Sequence, residues 1–134
     1  MSKFLYAALF LSVLISACEK GPGEGGNSSI KGYVHVVEYN ASFSIVQGQY
    51  PGADADVYII YGDDISYGDR VRANYDGTFE FKYLREGKYT VYVYSEDSTQ
   101  IITGLAADKA ISKQVEITAK KQTIDAGTFR TIRN

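Results

Sequence analysis

The chain has 134 residues, 45% hydrophobic and 22% charged, with 13 Gly, 2 Pro, 12 Tyr and no Trp, which bounds it to one modest globular domain. Setting aside residues 1–17, and Lys3 with them, leaves 13 basic against 16 acidic side chains, a balance that argues against a nucleic-acid partner, which calls for a basic face. One Cys excludes an internal disulfide and a Cys-based zinc cluster, and one His leaves little for His-dependent catalysis.

Lys3 precedes a nearly unbroken apolar run from Phe4 to Ile15, and small Ser16 and Ala17 follow. This is the layout of an export signal, and it is too short for a bilayer span, which needs about 20 apolar residues. Ile15-Ser16-Ala17-Cys18 resembles the bacterial lipobox, in which an aliphatic residue, two small ones and a cysteine close the apolar region. The resemblance implies a lipoprotein signal peptide over 1–17, cleavage before Cys18, and acylation of the Cys18 thiol and new amino group. Several acyl chains would hold the protein stably in a bilayer, since each buried methylene contributes about 0.8 kcal/mol.

Residues 18–29 are rich in Gly, with Pro22 among them, and read as a flexible tether between the lipid and a folded domain over 30–134. Lysine and glutamate close behind Cys18 loosely resemble the surface-export signal of Bacteroidota lipoproteins, without the acidic pair beside the lysine. The address implied is the cell envelope, anchored to the outer membrane, with the side left open.

From Ile30 the apolar period is two, the mark of half-buried strands. Seven strands are predicted. The first runs over 30–37, with Ile30, Gly32, Val34 and Val36 inward and Lys31, Tyr33, His35 and Val37 outward. The second covers 56–61 and sets Val57, Ile59 and Tyr61 against Tyr58 and Ile60. In the third, 70–75, Val71, Ala73 and Tyr75 face inward, and Asp76-Gly77 then makes a tight hairpin turn. Phe79, Phe81 and Tyr83 of the fourth strand, 78–84, fill the core. Glu86-Gly87 leads into the fifth, 88–95, with Tyr89, Val91 and Val93 inward and Tyr92 and Tyr94 outward. Residues 95–110 read as a loop with one helical turn. The last strands are 111–118 and 122–131, with a bulge expected near Gly127, because Ile124 and Phe129 have opposite parity. Short strands with regular turns make an all-β sandwich.

Ile30-x-Gly32-x-Val34, Pro51-Gly52-Ala53 leading to Val57-x-Ile59, and Asp76-Gly77-x-Phe79-x-Phe81-x-x-Leu84-x-x-Gly87-x-Tyr89-x-Val91 together resemble the carboxypeptidase regulatory-like, or transthyretin-like, domain. The resemblance covers 30–93. It implies a seven-stranded Ig-like sandwich used as an accessory, adhesive or assembly module, with no catalytic role and no cofactor.

The residues themselves point the same way. His35 falls on an outward strand face, which offers no pocket for nucleophilic catalysis. Asp54, Asp56, Asp63, Asp64, Asp69 and Asp76 are oxygen donors of the kind calcium prefers, at a spacing that matches no EF-hand loop. Whether a loop takes calcium stays open, and no metal site is assigned. Outward Tyr33, Tyr58, Tyr92 and Tyr94, with His35, form the candidate binding set, because tyrosine joins an apolar ring to a hydroxyl. The connections 39–50 and 61–67 are placed to extend it. Asp97-Ser98-Thr99 resembles the O-glycosylation acceptor of Bacteroidota proteins, with Ser98 modified. Two functions are expected: docking on an envelope protein through the tyrosines or a sheet edge, or binding a glycan or other extracellular ligand by stacking.

Overall fold

The computed structural model describes residues 21–101 and 108–134; the signal peptide at 1–17 and Cys18 lie outside the described residues. Among the described residues eight strands run in order: β1 (Glu24–Tyr39), β2 (Val46–Pro51), β3 (Asp56–Tyr61), β4 (Asp69–Arg72), β5 (Thr78–Leu84), β6 (Gly87–Glu96), β7 (Asp108–Ile117) and β8 (Thr123–Arg133). They form two four-stranded sheets packed as an all-β sandwich. In the first sheet β1 is central, with parallel β8 along one side, antiparallel β5 along its first half on the other side, and β2 along its second half. The second sheet has the order β4-β3-β6-β7 and is antiparallel throughout.

The period-two pattern builds this core directly. Ile30 and Val34 of β1, Phe79 and Phe81 of β5, and Phe129 of β8 face Val57 and Ile59 of β3, Tyr89, Val91 and Val93 of β6, and Ile117 of β7. Phe79 meets Phe81 and Phe129 edge-on, with ring centroids 5.9 and 5.7 Å apart. Each such side chain contributes about 1.5–3 kcal/mol by leaving water. Gly32 lies among them because a Cβ there would stand 2.5 Å from the Phe79 ring.

β1 changes partner at Val34. The Val34 amide donates to the Gly77 carbonyl at 2.8 Å, and the Val34 carbonyl accepts the Gly52 amide at 2.8 Å. Two loops thus continue the ladder where neither β5 nor β2 reaches, and the buried backbone stays paired.

Several expectations need correction. The strand count among the described residues is eight, because the connection over 39–50 contains β2, whose mostly exposed side chains carry no period-two signal. β1 begins at Glu24, inside the stretch expected to be tether, since its backbone pairs with Leu84 even where glycines offer no side chain to bury. Tyr75, expected in the core, is 94% exposed: β4 ends at Arg72, and the chain turns over Asn74–Thr78 toward the other sheet. The Asp76-Gly77 turn therefore joins strands of different sheets and is no hairpin between paired neighbours. Tyr83 is 71% exposed as well. Its positive φ of 60° and a register shift against β1 form a bulge that resets the alternation, so Leu84 takes the buried place. Tyr61 is only half-buried.

Val37, expected outward, is buried at 1% exposure, whereas two further expectations hold. The bulge at Gly127 is present, with Lys31 opposite Asp125 and Tyr33 opposite Thr128. A single 3-10 turn at Ser98–Ile101 supplies the helical turn expected between β6 and β7, and residues 102–107 lie outside the described residues.

Candidate functional site

Alternation on β3 and β6 turns Val57, Ile59, Val91 and Val93 inward and leaves Tyr58, Tyr92 and Tyr94 on the outer face of the second sheet. Tyr58 and Tyr92 are cross-strand partners. Their rings stack at 5.0 Å with an interplanar angle of 10°. Tyr94 stands edge-on to both, at 5.6 Å from each. A further ring arrives from the β3–β4 loop, where Tyr67 packs edge-on against Tyr58 at 5.0 Å. Aromatic pairs in such geometries contribute about 0.5–1.5 kcal/mol beyond their area.

The result is a packed aromatic patch with half-open rings: Tyr67 is 50% and Tyr94 52% exposed. Burial pushes the Tyr92 hydroxyl above its ordinary pKa, with the neighbouring Tyr94 adding to the shift. The Tyr92 phenol therefore keeps its proton at physiological pH.

Charge borders it on the β4 side. Arg70 is opposite Tyr58 and Arg72 opposite Asp56. Both Nε atoms approach the same carboxylate oxygen, Asp56 Oδ1, at 4.0 and 3.8 Å. That oxygen is buried without a hydrogen-bond partner, so two guanidinium groups offset its charge from a distance while their outer nitrogens face solvent. Exposed pairs of this kind add little stability. What they provide is a rim of donors beside an aromatic surface.

The five binding residues expected from sequence divide between two opposite faces. Tyr33 and His35 belong to β1 and lie on the outer face of the first sheet, with ring centroids 6.1 Å apart. His35 Nε2 pairs with Gln49 Oε1 of β2 at 2.9 Å. These two residues do not join the tyrosine patch. Ser98 opens the 3-10 turn, where Asp97 Oδ1 accepts both the amide and the hydroxyl of Thr99. Cys18 lies outside the described residues. Among the described residues, no three His, Cys, Asp or Glu side chains converge as metal ligands.

Tyr67 and the arginine rim were not singled out by sequence reasoning. The sequence places the loop holding Tyr67 as an extension of the site, but its return over Tyr58 depends on Gly68, whose amide donates to Ile59 O at 2.8 Å. The Arg70-x-Arg72 alternation on a strand next to outward Tyr58 is the signal that could have found the rim.

No family model and no curated protein matches the chain. Solved structures do resemble it. A candidate carbohydrate-binding protein from Pseudomonas aeruginosa aligns over 83% of this chain and 91% of its own, at 12% identity and a TM-score of 0.46. An (S)-allantoin synthase aligns over 78% of this chain and 42% of its own, at 10% identity and a TM-score of 0.41. A 9R-lipoxygenase from Cyanothece aligns over 92% of this chain but 20% of its own, at 12% identity and a TM-score of 0.39. At such identities and scores nothing about activity passes from these proteins to this chain.

Proposed function

We propose that the protein is a non-catalytic lipoprotein, anchored to the outer membrane through acylated Cys18, whose Ig-like, transthyretin-like sandwich serves as a protein-interaction module in the cell envelope. The observation that carries this reading is the patch of Tyr58, Tyr67, Tyr92 and Tyr94 on the outer face of the second sheet, bordered by Arg70 and Arg72. Tyrosine and arginine are the residues that dominate protein interfaces, because each offers large contact area with polar ends.

The face is favoured over strand addition along the β7–β8 side. There, Lys113 Nζ donates to Thr128 O at 2.7 Å, Ser95 Oγ accepts the Ile132 amide at 2.9 Å, and Glu96 Oε2 accepts the Asn134 amide at 2.9 Å. Side chains already occupy groups that an added strand would need.

The test is cross-linking on intact cells, with mass spectrometry of the attached species. One envelope protein in near-equal amount, cross-linked beside the tyrosine patch and lost in Tyr92→Ser/Tyr94→Ser, is the expected result. A partner retained by that folded double variant overturns docking through this face. The alternative reading is a binder of glycan, with a sugar ring stacked on half-exposed Tyr94. It is supported if no protein is captured, an impermeant reagent reaches the domain, and glycan binding is lost in the same variant.

A further inference from the structure

The chain that links Cys18 to the sandwich is much shorter than its glycine content suggests, because residues 21–26 are docked. Arg85 reaches over this segment: its Nε donates to Gly21 O at 2.7 Å, its Nη1 to Glu24 O, and its backbone amide to Gly23 O at 2.9 Å. From the core side, the Tyr89 hydroxyl accepts the Gly23 amide at 2.9 Å. Pro22 packs on two glycines. A Cβ at Gly62 would stand 3.3 Å from Pro22 Cγ, and Gly87 has no room for a Cβ beside the same ring. Gly26 presses on the Leu84 carbonyl in the same way.

Only Glu19 and Lys20 then separate Cys18 from Gly21, three Cα–Cα steps that reach about 10 Å at full extension. An anchor at Cys18 holds the sandwich by one defined end. That end carries the β3–β4 loop, whose Gly62 amide donates to Lys88 O at 2.8 Å, and the β7–β8 turn, whose Lys121 amide donates to Asn27 Oδ1 at 3.0 Å. The loop exposes Ile65 completely. Ile65 lies three residues from Gly62, so it stays within about 10 Å of the Pro22 contact. Lys88, Lys120 and Lys121 share this end with Asp63, Asp64 and Glu86. Such mixed charge suits a zwitterionic surface, and an isoleucine free of contacts is a group that lipid would cover.

We propose that this end of the sandwich rests on the lipid surface, with Ile65 seated in the headgroup layer and the strands rising from the membrane. The tyrosine patch then faces sideways, toward a partner held at the same level. The inference rests on acylation of Cys18 in the reading above.

The acylated full chain, purified with its lipid and placed in phosphatidylcholine vesicles, provides the test. The acyl chain consumes the Cys18 thiol, so Ile65→Cys and Ile45→Cys each carry one free thiol for an environment-sensitive fluorophore. Ile45, 63% exposed, lies beyond the opposite end of β1. Headgroup-borne nitroxide should quench the probe at 65 several-fold more than the probe at 45. Arg85→Ala should bring the two toward equality by freeing the docked segment; if that variant does not fold, Pro22→Gly serves. Equal quenching at the two positions of an acylated protein overturns the orientation alone, as does a preference at 65 that survives release of the segment. An intact mass without acyl chains overturns the lipoprotein reading and the orientation with it.

Discussion

The Gly77 carbonyl accepts the Val34 amide at 2.8 Å, at the point where β1 exchanges β5 for β2 as its neighbour. Gly77 holds φ at 84°, and a Cβ there would stand 2.7 Å from Val34 O and 2.8 Å from the Tyr33 ring. Gly77→Ala therefore combines a left-handed backbone with a steric conflict against main chain that cannot move freely. We expect a loss of about 2–4 kcal/mol in urea unfolding. Tyr75→Ala, two residues away and almost fully exposed, should cost less than about 0.5 kcal/mol. Equal costs for the two variants would refute the seam as a structural necessity.

The tyrosine patch makes a second expectation. Tyr58 touches the rings of Tyr67, Tyr92 and Tyr94, whereas Tyr94 is half-exposed and, among the described residues, meets the rings of Tyr58 and Tyr92. Tyr58→Ala should destabilise by about 1–3 kcal/mol and Tyr94→Ala by about 1 kcal/mol or less. A double-mutant cycle on Tyr58 and Tyr92 should return a coupling of about 0.5–1.5 kcal/mol for the stacked pair. A coupling near zero would show that the stacking adds nothing beyond area.

These elements differ in how far the sequence disclosed them. Val57-x-Ile59, Phe79-x-Phe81 and Tyr89-x-Val91-x-Val93 alternate strictly, and the structure buries each of them. Outward Tyr58, Tyr92 and Tyr94 follow from the same parity, so most of the patch was legible. Tyr33 and His35 have the right parity too, but parity does not say to which sheet a strand belongs, and β1 lies in the other one. Tyr83 and Tyr75 went astray for a different reason. A bulge at positive φ shifts the alternation by one residue at Tyr83, and a turn that changes sheet leaves Tyr75 outside both strands; neither is written in side-chain polarity. β2 and the start of β1 are held by backbone pairing with few buried side chains, which leaves hydrophobic periodicity silent there.

Lys113 offers a prediction about solubility. It sits at an inward position of the edge strand β7, donates to Thr128 O, and lies 5.0 Å from the centre of the Phe129 ring. An inward charge at a sheet edge discourages pairing with a second chain. Lys113→Val should lower stability by about 1 kcal/mol through the lost hydrogen bond, and it should raise self-association, read as a concentration-dependent sedimentation coefficient. A variant that stays monomeric at high concentration would assign Lys113 to stability alone.

The last expectation concerns pH. Burial first, then the Glu24 and Asp69 carboxylates, push the Tyr61 hydroxyl from 10.0 up to about 12. Burial also raises Tyr89 and Tyr92. A phenol whose folded pKa exceeds its unfolded one favours the folded state fully below the unfolded value, near pH 10, and loses that contribution as pH climbs through the folded value. Stability in urea should thus be level near neutrality and fall between pH 10 and about 12. Tyr61→Phe removes one of these phenols and should make the fall shallower, by an amount that solvent screening keeps modest. On the acid side the sign reverses. Hydrogen bonds from Thr78 and Thr99 hold Asp76 and Asp97 below the usual carboxylate range, so their contribution is present above about pH 4 and disappears as pH falls further. Thr78→Val and Thr99→Val should each remove part of that acid-side loss while leaving the alkaline limb unchanged. An alkaline limb that is identical in Tyr61→Phe would assign the fall to the other buried phenols.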